Sequence, residues 1–530
     1  MKLMNQIKHI IFCIIDDVRS EQFYDLIEKG SLPNLKKLFY SGIYSKSCIT
    51  DFPSLTYPTQ VSMMTGTYTG NYLKELCHGV PSFHWMDRNK VPPFLRSYNS
   101  AGSNERIQIY KLNDDLGDNC RTLFEMVGDG NTVSISQFIS RGVDYLFPER
   151  KTKLILYYLL IKHSHNINKY IFKANLVAVK KLLNTFEKPK KFFESKEAPI
   201  ASNLLFISSD IMMHLYGFDS ELYKLNLFHI DKALGILLDG LERLGYLNET
   251  AIAISSDHGN YKAKALGDFG NFLIDNGLTH YHPRRSRSGN MNIGGFSSIG
   301  FFNFNSNNSS EGKMWNHPTI SEMENYGPKK INLLDKLFTL DGTRLMYYCD
   351  SENTFKQGKI YLRRKDQHTG KIINGAIEYE GSGKEIKTKY LSESQDADVF
   401  NYLNDENAVK LMDNKFHTIS EWLDYTFHID HPLYPDLLSR HFKNPRRADI
   451  IVSTCGDVAY NIKQGKRENK NLYLHDIGLR RSAVVPLIIG GSEEIPVKEI
   501  SYCKVTDIVP TLVKMLGKRP HLSVVGETLI

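Results

Sequence analysis

Three stretches of this sequence end in the same way, on a carboxylate. His9-Ile-Ile-Phe-Cys-Ile-Ile-Asp16, Asn203-Leu-Leu-Phe-Ile-Ser-Ser-Asp210 and Ala251-Ile-Ala-Ile-Ser-Ser-Asp257 are apolar runs that stop at Asp. Two of these aspartates have a histidine close by. His258 follows Asp257 directly, and His214 stands four residues after Asp210, which on a helical turn puts both side chains on one face. Three carboxylates gathered in one place repel one another unless protons or a cation relieve the charge. With imidazole nitrogens beside them, a metal centre is the chemistry these residue types suggest. A lone D-x-x-x-H or an Asp-His pair is common and carries little weight; its position at the end of an apolar run is what gives it meaning.

The elements that would deliver these residues follow from the same runs. Continuous apolar stretches without polar alternation suit strands buried on both faces of a parallel sheet covered by helices. Ligands of such sheets lie outside the carboxyl ends of the strands, where all three aspartates fall. Helical spacing follows the first run over residues 16–26 and again at Pro33-Asn-Leu-Lys-Lys-Leu-Phe39, and a strongly periodic helix over 228–244 feeds the third. Between them, Phe52-Pro-Ser-Leu-Thr-Tyr-Pro58 brackets Thr56 with prolines. Because Pro58 disfavours the helical region for the residue before it, Thr56 is expected in an extended turn just ahead of a helix starting near Pro58, its hydroxyl placed to meet an anion.

Residues 151–197, rich in Lys, Phe, Leu and Tyr, read as an inserted helical segment with a solvated lysine face. Residues 262–445 lose the α/β pattern and read as a cap or smaller α+β insertion, and α/β character is expected to return at Ala448-Asp-Ile-Ile-Val-Ser453. No internal repeat or long linker divides the 530 residues, so one catalytic domain spanning 1–530 is expected.

Composition narrows the partners. A formal charge of +7 over this length is mild and lacks the concentrated basic stripe of a nucleic-acid binder. Seven scattered cysteines without a Cys-x-x-Cys pair argue against a disulfide framework and a thiolate site, and for a cytoplasmic chain. The apolar run from Ile7 to Ile15 ends in Asp-Asp-x-Arg without a small-residue cleavage site, so it is read as a strand, not a signal core. No apolar run approaches the ~20 residues needed to cross a bilayer. The oligomeric state is open.

Taken together, the motifs resemble the alkaline phosphatase superfamily, in particular its type I phosphodiesterase/nucleotide pyrophosphatase branch. The resemblance rests on Asp16-x-x-Arg19, Pro53-Ser-Leu-Thr-Tyr-Pro58 with Thr65-Gly66, His78-Gly79, Asp210-x-x-x-His214 and Ser256-Asp-His-Gly259. It continues with His475 ahead of Val485-Pro-Leu-Ile-Ile489 and with Thr506-Asp-Ile-Val-Pro-Thr511. The order of these motifs spans nearly the whole chain. The resemblance implies an α/β fold, three-layer α/β/α with a mostly parallel central sheet. It also implies two divalent metal ions, one held by Asp210, His214 and His475 and the other by Asp16, Thr56, Asp257 and His258. Mixed carboxylate and imidazole ligands suit Zn²⁺, and Mn²⁺ would tolerate the same set.

On that resemblance Thr56 is the expected nucleophile, its alkoxide stabilised by a cation, and the expected activity is hydrolysis of phosphodiester or pyrophosphate bonds in a small phosphorylated substrate through a phospho-threonine intermediate. The sequence departs from the branch at one place. Many members carry an Asn a few residues past His-Gly to hold a phosphoryl oxygen, and here Phe83 stands about there, with His84 as a substitute donor. Tyr57 and Trp85 are candidates for an apolar wall of the substrate site, and Arg284, with Arg285 and Arg287, for a distal phosphate. Two alternatives stay open: a phosphomonoesterase on the same fold, and a non-catalytic relative that binds an anion.

Overall fold

The computed structural model describes residues 7–70, 76–98, 109–149, 153, 167–267, 269–281, 288–306, 315–351, 356–461 and 471–530. Arg284, Arg285 and Arg287 lie outside these residues, as does all of 151–166 except Lys153.

The first apolar run is the hub of a nine-stranded sheet. Its strands are β1 (His9–Ile15), β2 (Ile43–Ile49), β3 (Thr132–Ile135), β4 (Tyr145–Phe147), β5 (Ala201–Phe206), β6 (Thr250–Ser255), β7 (Val484–Gly491), β8 (Lys498–Glu499) and β9 (Cys503–Lys504). They lie in the order β8-β2-β7-β6-β1-β5-β3-β4, with β9 also against β2. β1 pairs in parallel with β5 and β6, and β3 in parallel with β4 and β5. β7 runs antiparallel to both its neighbours, β2 and β6, so it is the reversed strand of a mostly parallel sheet.

Every residue of β1, β5 and β6 is buried, which is why these strands carry no polar alternation. Ile11, Cys13 and Ile15 point into one apolar layer with α1 (Ser20–Glu28), α2 (Pro33–Tyr40), α4 (Ile167–Glu187) and α6 (Glu221–Arg243). Ile10, Phe12 and Ile14 point into the other, with α3 (Thr56–Thr65) and α7 (Ile508–Met515). The result is helix, sheet and helix in three layers. In α6 the buried Tyr223, Leu227, Ile230, Leu234, Leu237 and Leu241 recur at helical spacing, and the Ser220 hydroxyl caps the start by accepting from the Tyr223 N–H at 3.2 Å. Burying such side chains contributes roughly 2 kcal/mol apiece and holds the helix to the sheet. α4, inside the segment expected as a helical insertion, packs on β3, β5 and α6 within this layer.

A second sheet of eight strands lies within residues 291–453, all its pairings antiparallel. Ile450–Ser453 belongs to it, between Ile299–Phe304 and Leu345–Cys349. α/β character was expected to return at Ala448 to Ser453, and the strand found there is instead paired antiparallel on both sides in this second sheet. A short all-apolar run marks a strand covered on both faces but does not say in which sheet. A hairpin, His84–Asp87 with Phe94–Ser97, is tied to this second sheet by the buried Arg88, which donates to the Asp449 carboxylate at 2.5 Å and to the Phe304 carbonyl at 2.9 Å. No helix among the described residues is long and apolar enough to cross a membrane.

Candidate metal centre

Register alone brings the aspartates together. Ile15 pairs with Phe206 and Ile14 with Ser255, so β1, β5 and β6 end at one level and the chain leaves all three on the same edge. Asp16 follows β1 directly and Asp257 follows β6 after one residue. β5 passes into α5 (Ser208–Tyr216), whose first turn carries Asp210 and whose next carries His214, its Nε2 3.2 Å from Asp210 Oδ1. The His214 Nδ1–H donates to the Tyr473 carbonyl at 2.8 Å, which leaves Nε2 facing Asp210. Two residues past Tyr473, His475 brings its Nε2 to 3.8 Å from the same Asp210 oxygen. The Ser54 hydroxyl, just upstream of Thr56, holds this loop by donating to the His475 carbonyl at 2.8 Å.

The second group forms around Asp257. Ligand atoms of Asp16, Asp257 and His258 lie within 4.8 Å of one another, as do those of Asp210, His214 and His475. His258 Nε2 is 3.5 Å from Asp16 Oδ1 and 3.6 Å from Asp257 Oδ2. The His258 and His475 rings stack at 3.8 Å, so the two groups share a wall. Gly259 is needed here because a Cβ would come within 2.6 Å of the Arg481 carbonyl oxygen, against which this turn is packed.

Thr56 meets the second group from a helix end. Its Oγ1 lies 3.1 Å from His258 Nε2, and it is the first residue of α3. The helix therefore starts two residues earlier than expected. A proline in the first turn forfeits only an N–H that has no intrahelical partner, so Pro58 is accommodated inside the helix and Tyr57 accepts helical geometry. The positive end of α3 thus points where Thr56 stands. Its entry turn is braced by a buried relay. The Val80 N–H donates to His78 Nδ1 at 3.2 Å, so the other nitrogen, Nε2, carries the proton and meets Ser62 Oγ at 2.9 Å; Ser62 donates to Asp51 Oδ2 at 2.6 Å. His78 is therefore a brace and not a ligand.

Electrostatics explain what the edge requires. Burial, then the charges of Asp257 and Asp210, push the Asp16 carboxyl well above its usual range, and burial raises Asp257 as well. Burial would also raise Asp210, but the His214 charge and hydrogen bond, with the His258 charge, outweigh it and hold that carboxyl low. Burial works against the charged forms of His214 and His258, yet neighbouring carboxylates carry both imidazoles up to about 9. Burial and the adjacent His258 and His214 charges keep His475 neutral. The protein by itself thus meets the charge with protons on histidines.

A divalent cation fits the same residues. Asp16 Oδ1 is buried without a hydrogen-bond partner, and Asp210 Oδ1 has only the His214 and His475 imidazoles before it, at 3.2 and 3.8 Å, which is costly unless something else satisfies them. Carboxylate and imidazole donors in two adjoining groups suit Zn²⁺ and tolerate Mn²⁺.

Beside His475 opens a cavity of about 230 Å³. Leu55, Phe83, Ile299, Phe301 and Leu474 give it apolar walls, and Ser82, His84, Ser297 and Asp476 bring polar groups. His84 is thus beside the site, and burial lowers its imidazole to about 4, so it is neutral there. Tyr57 does not line this cavity. Its ring packs edge-on against Phe83, at 4.6 Å, and against Tyr98 and Phe138. Trp85 is buried as well, its indole N–H donating to the Tyr98 hydroxyl at 3.1 Å. Aromatic residues near a nucleophile read alike from sequence whether they face core or cavity, and Phe83 takes the wall position instead. Two residues with no signal of their own also meet the site. Gln60 donates to the Asp257 carboxylate at 2.7 Å, and Asp17 approaches His258 Nδ1 at 3.8 Å. Gln60 could have been found from its place four residues after Thr56 on one helix face.

The family model for type I phosphodiesterase/nucleotide pyrophosphatase matches residues 11–295. Among solved structures, murine ectonucleotide pyrophosphatase/phosphodiesterase 5 is similar with a TM-score of 0.53 at 14% identity, over 97% of this chain and 96% of that one. An inactive Thr-to-Ala variant of the same murine protein, in complex with AMP, is similar with a TM-score of 0.52 at 14% identity and the same coverage. No curated protein matches by sequence.

Proposed function

The chain belongs to the type I phosphodiesterase/nucleotide pyrophosphatase family, hydrolases of phosphodiester and pyrophosphate bonds on an alkaline-phosphatase-like α/β fold, and from that premise we propose that Thr56 is its nucleophile and two divalent ions its cofactors. The observation that carries this reading is the Thr56 hydroxyl, 3.1 Å from His258, in a ligand group where Asp16 Oδ1 is buried without a hydrogen-bond partner. Asp210, His214 and His475 would hold one ion; Asp16, Asp257, His258 and Thr56 the other. Zinc is the ion we favour. Such ions neutralise charge on the phosphoryl group and lower the pKa of a bound hydroxyl.

The chain's own residues supply the rest. The start of α3 presents Thr56 Oγ1 with the helix dipole favouring its anionic form. Attack on phosphorus forms the Oγ–P bond and breaks the bond to the leaving oxygen, which departs with a proton. Water then cleaves phospho-Thr56, releasing the phosphorylated product and restoring the hydroxyl. That the murine neighbour is inactive as a Thr-to-Ala variant supports a threonine in this role.

We further propose a small nucleotide or similar phosphodiester as substrate, one ester group seated in the cavity beside His475. Among the described residues its lining includes no lysine or arginine, and His84 is neutral, so nothing there meets the second charge that a monoester carries on its one phosphate, which favours diesters over monoesters. The complex of the murine neighbour with AMP supports the nucleotide class. The odd, dispersed cysteines support the cytoplasm as compartment. Purified protein with zinc is expected to turn over bis-p-nitrophenyl phosphate and a dinucleotide polyphosphate faster than p-nitrophenyl phosphate. Faster release from the monoester would contradict the diester reading, and ligand binding without any turnover would contradict catalysis.

A further inference from the structure

Gln60 meets the Asp257 group from outside the strand ends and is not itself a ligand candidate. It is 1% exposed and stands on α3 four residues after Thr56, so hydroxyl and amide share a helix face. Its Nε2 donates to Asp257 Oδ2 at 2.7 Å and reaches Asp16 Oδ2 at 3.4 Å, one amide spanning two carboxylates. The other oxygen of Asp257 is already taken, by the backbone N–H groups of Asp17 at 3.2 Å and His258 at 3.1 Å. The other oxygen of Asp16 has no partner and lies 3.5 Å from His258 Nε2.

The amide does this at its own expense. Gln60 Oε1 is buried without a hydrogen-bond partner. Turning the amide over would satisfy neither end, because it would aim a carbonyl at two carboxylates; the chemistry of the partners fixes its orientation. A glutamine kept only to fill space would not leave a buried carbonyl unpaired, since an apolar side chain of the same length fills space without that cost. Both of its hydrogen bonds go to this group, and neither reaches Asp210, His214 or His475.

We infer that Gln60 is a positioning residue for one ion only: by pinning Oδ2 of both Asp16 and Asp257 from the helix that carries Thr56, it turns the free Asp16 oxygen toward His258 and fixes the spacing of that ligand group. The inference rests on the reading, made under Proposed function, that an ion binds there. Hydrogen bonds to metal-ligating carboxylates hold their orientation, and losing one typically costs about 10–100-fold in metal affinity. Here the loss is confined to one of two adjoining sites.

Zn²⁺ binding, followed by competition with a chromophoric chelator, tests this on the full chain. The parent protein is expected to take up two ions. Gln60→Met, close in length and apolar, is expected to keep one at parent affinity and weaken the other about 10–100-fold, with the melting temperature in excess chelator little changed. Gln60→Asn keeps an amide but withdraws it by one methylene, and the same one-site loss is expected should Gln60→Met not fold. Asp210→Asn is expected to weaken the opposite ion. Two ions bound at parent affinity in both Gln60 variants would overturn the inference, and so would equal weakening of both ions. A parent chain that takes up no zinc would overturn the metal reading itself, which separates the two failures.

Discussion

Replacing Thr56 with alanine is expected to lower diester turnover by roughly 10⁴-fold or more, the scale seen when a nucleophile is removed from a preassembled site. The reason is geometric. Thr56 Oγ1 approaches His258 Nε2, and the helix that presents it is braced through Asp51, Ser62 and His78. The methyl group left by the substitution fits the same helix start, so the fold is expected to survive and the substrate cavity to remain. Binding of a nucleotide product should therefore persist while turnover disappears. Steady-state kinetics alongside calorimetric titration of AMP separate the two. Turnover within tenfold of the parent would mean that another group attacks phosphorus.

Removing divalent ions with a chelator is expected to cost about 10³-fold in rate, equivalent to the roughly 4 kcal/mol that charge neutralisation at a transferring phosphoryl group supplies. Added zinc should restore the rate. The same treatment should lower the melting temperature, because buried carboxylates then face one another across the strand ends. The pH dependence has a definite sign. His214 and His258 are raised to about 9, so the stability they lend the ion-free protein is complete below the ordinary value of 6.5 and is lost as pH climbs through about 9. The raised carboxyl groups of Asp16 and Asp257 act in the same direction, since their ionisation is harder in the folded chain. Zinc competes with these protons. Its upward shift of the melting temperature should therefore grow from pH 6 to pH 9, which a thermal scan in chelator-buffered zinc measures.

Much of the site could be read before any coordinates, and the reason is burial. β1, β5 and β6 are covered on both faces, so their sequences are nearly pure apolar runs, and a carboxylate at the end of such a run stands out. Thr56 is marked more weakly, by the prolines that flank it, and His475 enters the candidate site only through the order of motifs along the chain. The helix start was placed two residues late because the rule about residues before proline describes a preference that a first turn can override. Ile450–Ser453 is a strand, as its apolar run suggests, but a run this short does not say that its sheet is the antiparallel one. Gln60 is marked only by its place one turn after Thr56, because its partners come from strand ends far off in sequence and a polar residue on a helix ordinarily faces water. Tyr57, expected as a cavity wall, packs against Phe83, Tyr98 and Phe138, and Phe83, which stands about where the branch carries its Asn, lines the cavity; the difference is one of side-chain direction that sequence does not carry.

Diffraction from crystals grown with zinc, collected on both sides of the zinc absorption edge, bears on the bimetallic arrangement itself. Two anomalous peaks are expected. One should lie about 2 Å from ligand atoms of Asp210, His214 and His475, and the other about 2 Å from Asp16, Asp257, His258 and the Thr56 oxygen. A single peak, or none at these strand ends in crystals of active protein, would contradict it.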